Sequence, residues 1–511
     1  MEAPGQYIIG YDIGTTSTKC IIADQKLRVL SRASESYGLT HPNPMWAEQD
    51  PEVLWHALVS STRTAIEQSK ILPPEIISVS ISCQTPCLIP VEKDGRPLRP
   101  CISWLDARAV SEAENMRERL GLDTIYEKTG VLVSAKDIIC KLLWLRENEG
   151  DVFERTYKLL DLKDYLIYKL TGNFATDWTC ASLTALFDIK QRKWSDELCE
   201  FARVPVGMLS EAHPSNDIVG EITPQASRIT GLRSETPVVV GAGDVFCAAL
   251  GSGAIEHGSS HLYLGTSSWI GTSVSQPSLD PNRRVLCSCH ADPDKWLILG
   301  LMESTGICLK WFLDQLGASE ISTGEEQGTS PYKILDDEAA RVEPGSMGLV
   351  FFPYMLGEKS PIYDPYAKGG FIGLTLKHTR AHMVRSILEG IAFQIRWIIE
   401  SIEELGFGID DLRLIGGGAQ SKLWPKIITD VSHKKLTIMR NPIESGAIGA
   451  VLNGLVAMKM QEDFGAAAEL LSKGSKVQPS GQSAEKYDKL YSIFTDHYAK
   501  VKDLYQRLTN I

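Results

Sequence analysis

The sequence predicts an α/β protein of two related lobes, and three observations carry that expectation. Strand-like and helix-like segments alternate through most of the 511 residues, as they do in layered α/β folds. A strand, glycine turn, strand device at Tyr7 to Asp24 returns at His261 to Val274, about half the chain later. The chain is also too long for a single hydrophobic core, which suggests about two to four domains.

Taken in order, "YIIGYDIG" and "TKCIIAD" are short and aliphatic with a glycine turn between them, which reads as a β-hairpin with Asp12 near the end of its first strand. Asp50 then precedes Pro51 and a helical spacing of apolar residues, an N-cap followed by proline at the first helical position. "IISVSIS" returns to a strand, and "DARAVSEAENMRERL" and "AKDIICKLLWLRENE" to helices. "TPVVVGAGDVFCAALGSGA" reads as a buried strand, a glycine turn containing Asp244 and a closely packed helix. In "TRAHMVRSILEGIAFQIRWIIESIEELG", Met383, Ile387, Ile391, Ile395, Ile398 and Ile402 form one stripe, the mark of a core helix, stopped at Gly406. "DLRLIGGGAQSKLWPKIITDVS" follows as strand, three glycines and helix, and "SKGSKVQPSGQSAEK" reads as a surface linker before a last helix.

Bulk properties narrow the function. A composition of 43% hydrophobic and 23% charged residues is that of an ordinary globular protein, so large-scale disorder is excluded. A formal charge of -12 opposes a nucleic-acid surface, which needs a clustered positive field. Eleven cysteines stand singly, an odd count that fits reduced cytosolic thiols rather than a disulfide framework. Cys287 and Cys289 beside His290 lack a second ligand pair at zinc-site spacing, and core packing is the stronger reading. No stretch reaches membrane-spanning length.

The glycine segments admit several chemistries. "GGGAQS" is not the dinucleotide fingerprint, because Ser421 stands where its third glycine belongs, and "GTTSTKC" lacks the second glycine of a Walker loop before Lys19. What remains is a pair of phosphate-suited turns, a glycine-rich loop and two acids. Amides and hydroxyls at a glycine turn suit phosphate, and a nearby carboxylate suits a magnesium ion held on it. A plain hairpin turn accounts for the first segment alone equally well.

Together these residues resemble the FGGY family of carbohydrate kinases, from Tyr7 to about Met460. "GYDIGTTSTK" resembles its first phosphate motif, "HLYLGTSS" the second and "LIGGGAQS" the adenosine motif, and Gly369 to Glu389 matches its C-terminal signature throughout. The N-terminal signature is looser: Lys141 to Trp144 is present, with Ile138 where a small residue or proline is expected. "MWAEQDP", "RPCISWLDAR", "LLDLKDYLIYKLTG" and "FFPYMLGEKSP" are most similar to xylulose kinases. Two departures touch the sugar pocket. Thr85-Pro86 replaces the Met-His of xylulose kinases and the Arg-Glu of glycerol kinases, and Val245 follows Asp244 where an amide residue is usual.

The resemblance implies an actin-like ATPase (ribonuclease H-like) fold, with a sugar-binding lobe over 1–254, a nucleotide-binding lobe over 255–511 and a cleft between them. It implies ATP-dependent phosphorylation of a ketose or polyol, most similar to a pentulose such as D-xylulose. Kinases for glycerol, erythritol, gluconate or ribulose, a non-catalytic sugar sensor and a protein-moving ATPase are the alternatives. Asp244 would be the base and touch the sugar, and Asp12 would hold Mg²⁺ through water. Gly14, Thr15, Thr16, Lys19, Gly265, Thr266 and Ser267 would meet the phosphates. Gly306, Gly417, Gly418 and Ser421 would meet the rest of the nucleotide, and Thr85, Trp104 and Asp106 the sugar. Helix capping by Asp244, turn glycines and a core tryptophan are the ordinary roles these same residues could fill. The implied partner is a small-molecule sugar or polyol in the cytoplasm, with no nucleic acid and no membrane, and a homodimer stays open. Lobe closure on sugar binding is expected, because an open site would admit water as a competing nucleophile.

Overall fold

A computed structural model describes residues 5–509. The first main sheet contains β1 (Tyr7–Ile13), β2 (Ser17–Asp24), β3 (Val29–Ser36), β4 (Ile76–Cys83), β5 (Ile218–Glu221) and β6 (Pro237–Gly243), in the spatial order β5-β6-β4-β1-β2-β3. The second contains β7 (Ser260–Leu264), β8 (Ser268–Val274), β9 (Leu286–Cys289), β10 (Trp296–Met302), β11 (Asp411–Ile415), β12 (Lys435–Met439) and β13 (Lys473–Val477), in the order β9-β10-β8-β7-β11-β12-β13. Five strands of each sheet share one topology. A central strand pairs antiparallel with the next strand in sequence and parallel with a strand arriving after a long connection. Further antiparallel and parallel neighbours extend the two sides alike. The repeated hairpin in the sequence is thus the start of a repeated sheet.

Local signals account for the elements that flank these sheets. Asp50 accepts a hydrogen bond from Glu52 N at 2.9 Å and opens the helix Pro51–Ser69. The predicted stripe lies on the helix Arg380–Glu403, whose Ile387, Ile391, Ile395, Ile398 and Ile402 are completely buried in the second lobe's core. Gly406, at φ +95°, supplies the left-handed residue just beyond its end. All eleven cysteines are buried and free. One expectation fails. The segment predicted as a linker contains β13, paired antiparallel with β12. Its alternation is invisible because the strand lies at the sheet's edge, exposed and lysine-bearing, where no face needs apolar residues.

A third hydrophobic cluster joins the lobes. Ile8, Phe246 and Cys247 from the first pack with Leu297, Ile415 and Val451 from the second. Its axis is a pair of crossing helices, Asp244–Ser252 and Ser445–Ala457. Small residues let them approach until backbone meets backbone: Gly449 lies against the Cys247 carbonyl and Gly251 against that of Ser445. The Asp244 helix therefore has its body in the joint between the lobes. No helix among the described residues is long and apolar enough to cross a membrane.

Candidate active site

The site begins where β1 ends. Asp12 pairs in register with Lys19 on β2, and their side chains meet at 3.3 Å. Ser82 Oγ on β4 donates to the other Asp12 oxygen at 3.3 Å. From the second lobe, Gly446 offers bare backbone, and a Cβ there would lie 2.6 Å from Asp12 Oδ1. Lys19 Nζ also reaches the Ile443 carbonyl at 3.2 Å. Thus the lysine expected at the phosphates is tied to Asp12 and to the second lobe.

Asp244 opens its helix after β6, with Oδ1 accepting from Val245 N at 2.8 Å. Its enclosure disfavours the charged carboxylate and pushes its pKa up to about 7, with Asp12 and then Asp161 adding their charges. The two sequence-predicted acids are therefore electrostatic neighbours. Burial raises the phenol of Tyr263 on β7, and Asp12 and Asp244 raise it further, so the base of the second hairpin shares their space. Tyr263 stacks on Trp269 of β8 with centroids 3.9 Å apart and planes 5° apart.

The second glycine turn, the start of the following helix and the three-glycine loop form one backbone surface. Gly14 N donates to Ser17 O at 3.0 Å, leaving Thr16 exposed at the first turn. Gly265 N donates to Ser267 O at 3.1 Å, with Thr266 exposed at the second. Gly306 N donates to Gly265 O at 2.9 Å and Ile307 N to Thr266 O at 3.1 Å, so the helix Gly306–Leu316 starts on the second turn. Gly416, at φ +89°, lies against the backbone of Leu264, and a Cβ on Gly418 would stand 2.7 Å from Leu264 Cβ, whereas Gly417 faces open space. Ser421 Oγ donates to Asp336 at 2.5 Å and accepts from Trp424 N at 2.8 Å, fixing the start of the helix Trp424–Ser432.

On the sugar side the three predicted residues part company. Thr85 is half-buried beside Asp244: a Cβ on Gly243 would stand 2.6 Å from its methyl, and its peptide to Pro86 is cis. Trp104 Nε1 donates to Thr15 Oγ1 at 3.0 Å, joining its loop to the first turn. Asp106 does not present the expected free acceptor. It has no exposed surface, one oxygen accepts from Ala47 N at 2.7 Å, and both accept from Arg108. Arg108 also pairs with Glu48 and lies 3.8 Å over the Trp46 ring, so Asp106 anchors a buried cation. Cys287, Cys289 and His290 pack in the core, with His290 Nε2 and Ser273 Oγ 3.2 Å apart.

Two features have no signal in the sequence. Asp161, the N-cap of the helix Leu162–Thr171, accepts from Thr85 Oγ1 at 2.6 Å, and burial raises its pKa against that bond. Its pattern in sequence is only that of an N-cap. The second is an ion pair between lobes, Lys136 Nζ to Glu303 Oε2 at 2.6 Å, with Lys359 at 3.9 Å from the other oxygen. Burial pushes Glu303 up, but the two lysines outweigh it and hold its pKa low. No local pattern announces a pair 167 residues apart.

For a metal, the residues present fit magnesium. Asp12 keeps 15% of its side-chain surface exposed and Asp244 is pushed up partly by Asp12's charge, so a hydrated divalent cation at Asp12 would relieve that repulsion.

Residues 7–251 match the N-terminal domain, and residues 261–458 the C-terminal domain, of the FGGY family of carbohydrate kinases. The gluconokinase of Bacillus subtilis (strain 168) is 30% identical over 506 residues, covering 99% of this chain and 98% of its own. The xylulose kinase of Staphylococcus xylosus is 29% identical over 493 residues, 96% of this chain and 99% of its own. Among solved structures, the gluconate kinase from Lactobacillus acidophilus superposes with a TM-score of 0.91 at 27% identity, over 99% of this chain and 100% of that one.

Proposed function

The chain belongs to the FGGY family of carbohydrate kinases, and from that premise we propose that it transfers the γ-phosphoryl group of ATP to a hydroxyl of a ketose or polyol, a pentulose such as D-xylulose leading. The observation that carries the reading is the register that brings the end of β1, with Asp12, and the residues of β6 leading into Asp244 against the same two residues of β4, Ser82 and Cys83, so that Asp12 helps to raise the pKa of Asp244. Phosphoryl transfer asks the protein for alignment and charge neutralisation more than for covalent chemistry. Asp244 accepts the proton of the attacking hydroxyl, a task for which a pKa of about 7 is well matched.

Asp12 would hold Mg²⁺, which when bound would supply neutralisation of charge on the phosphates. The amides and hydroxyls of Gly14, Thr15, Thr16, Gly265, Thr266 and Ser267 orient the β- and γ-phosphates, with Lys19 held beside Asp12. Gly306, Gly417, Gly418 and Ser421 line the nucleotide's approach. Gly417 is the open position among the three glycines, with nothing within 4 Å of where a Cβ would stand. Thr85 and Trp104 face the sugar. Closure of the lobes over both substrates would exclude water as a competing nucleophile, and Lys136–Glu303 is an ion pair between the two lobes. A second reading, an aldonate acceptor, draws on the 30% identity to a gluconokinase.

The test is release of ADP from ATP and magnesium in the presence of single sugars. Release that depends on a ketose or polyol supports the proposal. No release supports a sensor, and release independent of sugar supports an ATPase.

A further inference from the structure

Beside Asp244, Thr85 and Gln84 each present a hydrogen-bond acceptor rather than a donor. Thr85 spends its one hydroxyl proton on Asp161 Oδ2 at 2.6 Å. Asp161 is held in place for that bond: its other oxygen accepts from Leu162 N at 2.6 Å and Cys87 N at 3.2 Å. Thr85 Oγ1 therefore meets any further partner through a lone pair. Next to it, Gln49 Nε2 donates to the carbonyls of Thr15 and Gly38, so Gln49 Oε1 must accept, and Gln84 Nε2 donates to it at 2.8 Å. That sequence of bonds fixes the Gln84 amide and leaves Gln84 Oε1 buried without a protein partner. The indole donor of Trp104 is spent on Thr15.

The charges agree. Asp12, Asp161 and Asp244 crowd one region, and the last feels both of the others. The cations around these residues are held by protein partners: Lys19 by Asp12, Lys163 by Asp177 at 3.0 Å, Arg108 by Asp106 and Glu48, and Lys141 by the Ser103 carbonyl at 2.8 Å.

Building on the kinase reading above, we propose that Asp161 is a specificity-determining positioning residue. By holding Thr85 as an acceptor beside Asp244, it selects a neutral substrate that offers hydroxyl donors there and rejects one that offers a carboxylate. A ketose or alditol satisfies these acceptors. An aldonate sets acceptor against acceptor and charge against charge, although relatives of this chain are named gluconokinases.

The experiment compares kcat/KM for D-xylulose, D-ribulose, glycerol and erythritol with that for D-gluconate, in the wild type and in Asp161→Asn and Thr85→Val. Asparagine retains helix capping while removing the charge. The wild type is expected to favour its best neutral substrate over gluconate by about tenfold or more, and Asp161→Asn to narrow that ratio by about tenfold through the sugar KM. KM for ATP should not move, and Thr85→Ser should restore what Thr85→Val loses. A wild type that uses gluconate as well as any neutral sugar, or a ratio untouched in Asp161→Asn that still binds ATP, overturns the proposal and leaves the kinase reading standing. Absence of sugar-dependent ADP release with all five compounds overturns both.

Discussion

Asp12 Oδ1 lies 2.6 Å from where a Cβ on Gly446 would stand, so the first residue after the start of the second lobe's crossing helix is moulded to a carboxylate of the first. The atom that would have to move is the end of a side chain, which makes the substitution cheap for folding and costly for position. Gly446→Ala is expected to leave thermal stability near that of the wild type, alanine being the better helix former by about 1 kcal/mol. It should raise the magnesium concentration needed for half-maximal activity. A magnesium titration of ADP release beside a melting curve checks both halves.

The pH profile follows from Asp244. A base must be ionised to act, and enclosure with Asp12 nearby pushes its pKa up to about 7. Activity measured as kcat/KM for the sugar should therefore fall on the acid side below about pH 7 and level off above it. Initial rates from about pH 5.5 to 8.5 at saturating ATP test this.

Stability should show the opposite sign. A carboxyl whose folded pKa is raised from 3.8 to about 7 favours the folded state while protonated, and that contribution is lost as pH rises through this window. Asp244→Asn, which keeps the neutral shape, should gain stability over the wild type progressively between about pH 4 and 7, with a constant gain above. Urea midpoints at about pH 5, 6, 7 and 8 measure it. The same substitution in an Asp12→Asn background should gain less, because Asp12 supplies part of the shift.

Gly416 answers for the nucleotide side. It has φ +89° and lies against the Leu264 backbone, so a side chain there meets both conformational strain and main-chain atoms that cannot swing away. Gly416→Ala is expected to cost about 1–2 kcal/mol and to raise KM for ATP with little change in KM for the sugar. Steady-state kinetics with each substrate varied in turn distinguish this from general damage.

What the sequence discloses, and what it hides, divides by range. The hairpin around Gly14 and its counterpart at Gly265 are local patterns, and the duplicated sheets follow from them together with the alternation of strands and helices. Asp12 and Asp244 are legible as acids at glycine turns, and the fold makes them neighbours. Asp161 is not, because a capping aspartate looks the same whether or not a threonine 76 residues away donates to it. Asp106 misleads for the converse reason: the sequence shows the acid but not that Ala47 and Arg108, the latter stacked on Trp46, hold both its oxygens. Lys136 and Glu303 become a pair only once two lobes meet. The edge strand Lys473–Val477 is hidden by its own exposure.

The most direct test of the central claim is a single turnover of Asp244→Asn with ATP, magnesium and the best sugar found for the wild type, alongside equilibrium binding of ATP. The account predicts ATP binding near the wild-type level and a transfer rate reduced by about 10²–10⁴-fold, the range for loss of a general base. Transfer at a near-normal rate would contradict it, because the acid at the head of the crossing helix would then have no part in activating the hydroxyl.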